Sequence, residues 1–198
     1  MVIAAALALG AGLAGGVGNT AAVVGQPAPA FALRDADGRL HNLAQYRGKT
    51  VVLEWTNADC PYVKKHYTGA MQQLQKDATR DGAVWLSVVS SAPGKQGHVT
   101  AAQAKQLTAS RGAGPTAVLL DPTGEVGRFY DARTTPHMFV VNGQGRVIYA
   151  GGIDDKPTSD VADLKTARPL VRLALADVKA GRPVATPVSK PYGCSVKY

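Results

Sequence analysis

Glu54-Trp55-Thr56-Asn57-Ala58-Asp59-Cys60-Pro61-Tyr62-Val63-Lys64-Lys65 is the stretch on which the reading of this chain turns. It opens inside Thr50 to Trp55, a run of β-branched and apolar residues that predicts a buried central strand. Pro61 suits the first position of a helix, where its missing N–H costs nothing. Val63, Tyr67, Met71 and Leu74 then recur at helical spacing, which predicts one helical stretch from Cys60 onward. Cys60 thus falls at the first turn of a helix, just after a buried strand. Unpaired backbone N–H groups and the positive helix end stabilise a thiolate there. Lys64 and Lys65 add positive charge close by, and both effects lower a cysteine pKa below its free value of about 8.5. Asp59 opposes them. The expectation is a reactive, partly exposed thiol. The competing reading is an inert one, because free cysteine is among the most buried residue types.

Working outward, strand and helix alternate. Phe31 to Leu33 reads as a first strand and Leu43 to Gly48 as a helical turn or loop. Ala83 to Val89 and Thr116 to Leu120 read as further strands, with a helix over Thr100 to Ser110 between them. His137 to Val141, the Asn142-Gly143-Gln144-Gly145 turn and Arg146 to Ala150 form a hairpin. A last helix spans about Arg168 to Ala180, Gly181 stops it, and a Pro-rich tail runs from Pro183 to Tyr198. The pattern predicts an α/β fold, a mixed sheet with helices on both faces.

Composition bounds the function. Of 198 residues, 22 are Lys or Arg and 14 Asp or Glu, a net +8, with 45% hydrophobic residues and two Cys. A disordered tail and a disulfide miniprotein are both excluded. The positive residues are spread along the chain, so the charge reads as solubility rather than as a nucleic-acid surface. Met1 to Ala22 carries no charge and holds an apolar part too short and glycine-rich for a bilayer span. It reads as a signal peptide ending near Thr20-Ala21-Ala22, though without the expected positive start. The organisation expected is a signal peptide over 1–22, one domain over 23–182 and the tail over 183–198. Export to the periplasm or outside would put Cys60 and Cys194 where disulfides persist, with no stable membrane span after signal removal.

These pieces resemble a known group. Gly25-Gln-Pro-Ala-Pro-Ala-Phe31, Gly48-Lys-Thr-Val-Val52, Cys60-Pro-Tyr-Val63, Thr135-Pro136 and the Asn142 to Tyr149 hairpin are similar to the thioredoxin-fold redoxins. That group spans thioredoxins, TlpA-type thiol-disulfide proteins and peroxiredoxins of the AhpC/TSA type. The Ile153-Asp-Asp155 stretch and the tail Tyr192-Gly-Cys-Ser-Val-Lys-Tyr198 are similar to its uncharacterised peroxiredoxin-like subgroup. The resemblance implies a thioredoxin-like fold, a cis Pro136 against the active cysteine, and a Thr135 whose backbone docks a partner peptide. It also puts Glu54 in the place of a buried acid that relays protons, its pKa raised by desolvation. The chain departs from the group as well. Val63 stands where thioredoxins carry their second cysteine, and Leu53 and Asn57 stand where peroxiredoxins carry Pro and Thr.

Three functions follow as expectations. The first is an extracytoplasmic thiol-disulfide oxidoreductase with Cys60 as attacking thiolate, acting on a thiol or disulfide protein. The second is a thiol peroxidase using Cys60, with peroxide as substrate. The third is a non-enzymatic binding or copper-handling module. His66 and His137 are the weak metal candidates, but no spacing typical of a zinc or calcium site occurs, so neither metal nor cofactor is expected. With Val63 unable to resolve a mixed disulfide, Cys194 is the remaining thiol, and a reversible Cys60–Cys194 disulfide is expected. The rival is a Cys194 that anchors the tail reduced, or pairs between chains. Asp154, Asp155, Asp160 and Asp163 read as a solvated loop.

Overall fold

The computed structural model describes residues 21–198. The expected signal peptide therefore lies almost wholly outside the described residues. Among the described residues nine strands form: β1 (Ala32–Asp35), β2 (Leu40–Asn42), β3 (Val51–Trp55), β4 (Val84–Val89), β5 (Ala117–Leu120), β6 (Thr134–Thr135), β7 (His137–Val141), β8 (Val147–Gly151) and β9 (Cys194–Ser195). The helices are α1 (Pro61–His66), α2 (Ala70–Arg80), α3 (Ala101–Ser110), α4 (Glu125–Phe129) and α5 (Leu170–Lys179). Seven strands make one sheet in the order β2-β1-β5-β4-β3-β7-β8, and β6 pairs with β9 apart from it. The inner pairs β3–β4 and β4–β5 are parallel, while β3–β7, β7–β8 and β1–β5 are antiparallel. The sheet is mixed, with helices on both faces, and the fold is thioredoxin-like.

Side-chain alternation along β3 divides the core. Val51, Leu53 and Trp55 point to one face with Phe31, Leu119, Val126, Tyr130 and Phe139. Val52 points to the other, with Met71 and Leu74 of α2 and Leu170 and Val171 of α5. Every residue of β3 is buried, as a strand flanked on both sides and covered on both faces requires.

The expected single helical stretch after Cys60 is two helices. Gly69, at φ 133, breaks it between α1 and α2, a conformation that L side chains rarely adopt. The periodicity runs across the break because both helices turn their apolar faces to the same sheet. The tail is not loose. Ala150 N donates to Pro187 O and Ala150 O accepts from Ser189 N, so the outer edge of β8 is covered.

Candidate active site

Cys60 is held by a short, bonded loop. After Trp55, Thr56 donates its N–H to Val88 O and stays on the sheet. Asn57 then folds the chain: its side chain accepts from Asp59 N at 2.9 Å and its carbonyl from Cys60 N at 3.1 Å. Arg111, just past the end of α3, donates to Ala58 O, and Asp59 accepts from Gly97 N. Cys60 takes the N-cap position of α1, with Pro61 as the first helical residue.

The thiol meets two other parts of the chain there. Its Sγ lies 3.1 Å from Thr135 O, and the Thr135–Pro136 bond is cis. Strand β9 pairs antiparallel with β6, setting Cys194 opposite Thr135. The two cysteines are unbonded, and each shifts the pKa of the other. Burial pushes the Cys60 pKa up, but the Cys194 S–H and N–H, Thr135 and the Val63 N–H outweigh it, and the pKa falls below 9.0. Burial and the Cys60 sulfur push Cys194 up to about 11. The pair is therefore asymmetric: Cys60 is the more acidic thiol and Cys194 the less acidic one.

Two expectations about Cys60 are corrected. It is not partly exposed: its relative exposure is 0%, because β9 covers it. Nor is a lysine among the main causes of its lowered pKa. Lys65 is buried beneath α1, donating to Lys156 O at 2.9 Å and Thr158 O at 3.1 Å. Its long stem is packed, and its ammonium turns away from the thiol.

Glu54 is fully buried on the face of the sheet that α2 covers. Its Oε1 accepts from Tyr67 at 2.9 Å; its Oε2 accepts from Trp85 at 2.8 Å, Ser87 at 2.9 Å and Gln75 at 3.3 Å. Desolvation raises its pKa, and the four donors hold the rise back. None of its hydrogen bonds reaches Cys60.

The solvated-loop expectation fails at Asp154. It is buried, with its Oδ1 accepting from the Tyr192 hydroxyl and from Lys156 N at 2.9 Å. Its Oδ2 has no hydrogen-bond partner and faces Lys65 Nζ at 3.8 Å and His66 Nε2 at 3.9 Å. His66 also lies 3.1 Å from the Tyr192 hydroxyl, and burial lowers its pKa to about 4. His137, likewise buried and lowered to about 4, has its Nδ1 facing Arg133 N. Among the described residues no cluster of three metal-ligating side chains occurs. Sequence reasoning missed Tyr192 and Asp154 as partners. The signal was present, since both lie in stretches that carry the resemblance, Ile153-Asp-Asp155 and Tyr192 to Tyr198.

The redoxin family pattern matches residues 23–167. The chain belongs to the redoxin family. A hypothetical protein of Sinorhizobium meliloti 1021 is similar at 24% identity and TM-score 0.75, over 90% of this chain and 96% of that one. An uncharacterized conserved protein of Geobacillus kaustophilus matches at 26% and 0.74, over 89% and 92%. The thioredoxin domain of a thiol-disulfide oxidoreductase of Bacteroides vulgatus matches at 18% and 0.51, over 65% and 87%. None of the curated proteins matches the sequence. Redoxin membership and the shared fold support a thiol oxidoreductase in the general sense. Among the described residues no helix is long and apolar enough to cross a membrane.

Proposed function

We propose that this redoxin is an extracytoplasmic thiol-disulfide oxidoreductase in which Cys60 attacks and Cys194 resolves. The observation that carries the reading is the cysteine pair itself: β9 sets Cys194 opposite Thr135, whose carbonyl lies 3.1 Å from the Cys60 sulfur. The Cys60 thiolate attacks one sulfur of a substrate disulfide. That S–S bond breaks, the other substrate sulfur leaves as a thiolate and takes a proton from water, and a mixed disulfide remains on Cys60. Burial still raises the Cys194 pKa, but the Cys60 charge that added to it is gone, so Cys194 ionises more readily and attacks the Cys60 sulfur. The second substrate thiol leaves, and the protein ends with a Cys60–Cys194 disulfide. Two electrons have passed to the substrate, and two thiols from outside return them.

Thr135 and Pro136 enter as the backbone wall against which the reacting sulfur lies. Glu54 keeps the place of the buried acid. A relay role for it predicts that Glu54→Gln changes the pH profile of turnover, whereas a positioning role predicts a change in stability alone. The uncharged segment over 1–22 supports export, and cell fractionation of the full chain tests it.

Disulfide reduction and peroxide consumption are measured side by side on wild type, Cys60→Ser and Cys194→Ser. The reading expects disulfide turnover that Cys60→Ser abolishes and that stalls as a mixed disulfide in Cys194→Ser. Turnover that survives Cys60→Ser contradicts it, and activity on peroxide alone turns the reading to a thiol peroxidase.

A further inference from the structure

The tail that supplies Cys194 also fills the ground beside Cys60. Strand β6 has only two residues, and β9 takes its pairing edge in the register Thr134↔Ser195 and Thr135↔Cys194. The pairing extends to Val196 N, which donates to Arg133 O at 3.0 Å, and Ala92 N donates to Lys197 O at 2.8 Å. An extended polypeptide that added itself as a strand here would need those same backbone groups.

Both ends of this strap are tied down by tyrosines. Tyr192 donates to Asp154, lies edge-on to Tyr62 at 6.0 Å between ring centres, and meets His66. Tyr198 donates to Ala132 O at 2.6 Å, and its ring lies against Gly124 and Gly127, where a Cβ at either position would strike it. Arg128 stacks over that ring at 4.5 Å. Between them Gly193 sits at φ 130, flush against the cis-proline segment, where a Cβ would run into the Thr135 carbonyl.

The two ways of reaching Cys60 therefore differ in what must move. A small disulfide needs only a local opening over the fully buried Cys60 sulfur, at the half-buried Cys194. An extended polypeptide needs the β6–β9 pairing and both tyrosine anchors to be given up. We propose that the 192–198 strap is a tethered strand that excludes extended polypeptides from Cys60 and makes this redoxin selective for low-molecular-weight disulfides. The proposal rests on the thiol-disulfide reading above and names its substrate class. The chemistry is unchanged: a small disulfide R–S–S–R accepts two electrons from the cysteine pair and leaves as two R–SH. Tyr192 and Gly193 act as specificity determinants through the strap, without touching the reacting sulfurs.

The test uses the full chain and two probes, hydroxyethyl disulfide and insulin, with dithiothreitol as the source of electrons and the uncatalysed rates subtracted. Gly193→Ala forces the strap off β6 while retaining both cysteines, and Tyr192→Phe removes its hydroxyl anchor. The proposal expects wild type to favour hydroxyethyl disulfide. Because displacing the strap also displaces Cys194, the reading is the ratio of kcat/KM for insulin to that for hydroxyethyl disulfide, which Gly193→Ala is expected to raise about tenfold even as both rates fall. Tyr192→Phe is expected to move that ratio the same way by a smaller factor, and it carries the comparison if Gly193→Ala does not fold. A ratio in wild type equal to that of the opened variants overturns the selectivity while leaving the thiol-disulfide reading intact. Inactivity of wild type on both probes overturns that reading and the proposal with it.

Discussion

Glu54 and Asp154 are both buried carboxylates, and they are held in different ways. Glu54 has both oxygens engaged by four uncharged donors, from Tyr67, Gln75, Trp85 and Ser87. All four belong to the segments that build the sheet and its first two helices. Asp154 has one oxygen engaged, by Tyr192 and the Lys156 N–H, and one that meets only cations at 3.8 and 3.9 Å. Its side-chain donor arrives on the tail. A saturated carboxylate fixes a core, since every donor around it would be left unpaired without it. A half-engaged one can release a partner at lower cost, which suits the place where a strap is fastened.

The contrast is broken most forcefully by removing each acid in turn. Glu54→Leu strands four buried donors and is expected to cost about 4 kcal/mol of stability, against about 1–2 kcal/mol for Glu54→Gln. Asp154→Asn keeps an acceptor for the Tyr192 hydroxyl and is expected to cost about 1–2 kcal/mol. Urea midpoints at unchanged slope measure all three. Equal losses at Glu54→Leu and Asp154→Asn would remove the distinction.

Acid sharpens it by sign. His66 and His137 have folded pKa values lowered to about 4, burial being the largest cause in each, against an ordinary 6.5. Between those values the unfolded chain binds more protons, so each histidine's stabilising contribution is complete above pH 6.5 and is lost as pH falls toward 4. Each accounts for at most about 3 kcal/mol. At His66, Asp154 pulls the pKa up and Lys65 pushes it down, so the loss is felt at the strap's anchor. Glu54 runs the other way. Its pKa is raised, so its contribution is complete at low pH and declines as pH rises through 4.5 toward its folded value. Urea midpoints at pH 7 and pH 4.5 are expected to show a net loss in wild type that shrinks in His66→Gln. A loss unchanged in that variant would detach His66 from the acid response.

The reach of the sequence follows from how local each feature is. Strand β3, the Cys60 position and the start of α1 depend on consecutive residues, and they read directly from Thr50 to Lys65. The β7–β8 hairpin is equally local. Helix α4 was not legible, because five residues carry little periodicity and Val126 is its one large buried apolar side chain. The burial of Lys65 and Asp154 was illegible for a different reason. Charged side chains are expected at the surface, and what buries these two is a loop and a tail remote from α1 in sequence. The exposure expected of Cys60 failed for the same cause, since the strand that covers it is β9. The direction of its pKa shift came out as expected, though not through the lysines: the donors are Cys194, Thr135 and the Val63 N–H.

Within the cysteine pair, Cys194 holds the Cys60 pKa down. A titration of thiolate ultraviolet absorbance in reduced wild type and in Cys194→Ala tests this. Wild type is expected to show one inflection below the ordinary 9.0, for Cys60, and a second toward 11, for Cys194. In Cys194→Ala the remaining inflection is expected to move upward, because the S–H donor is gone. A wild-type Cys60 inflection at or above 9.0, or one that stays in place when Cys194 is removed, would contradict the claim.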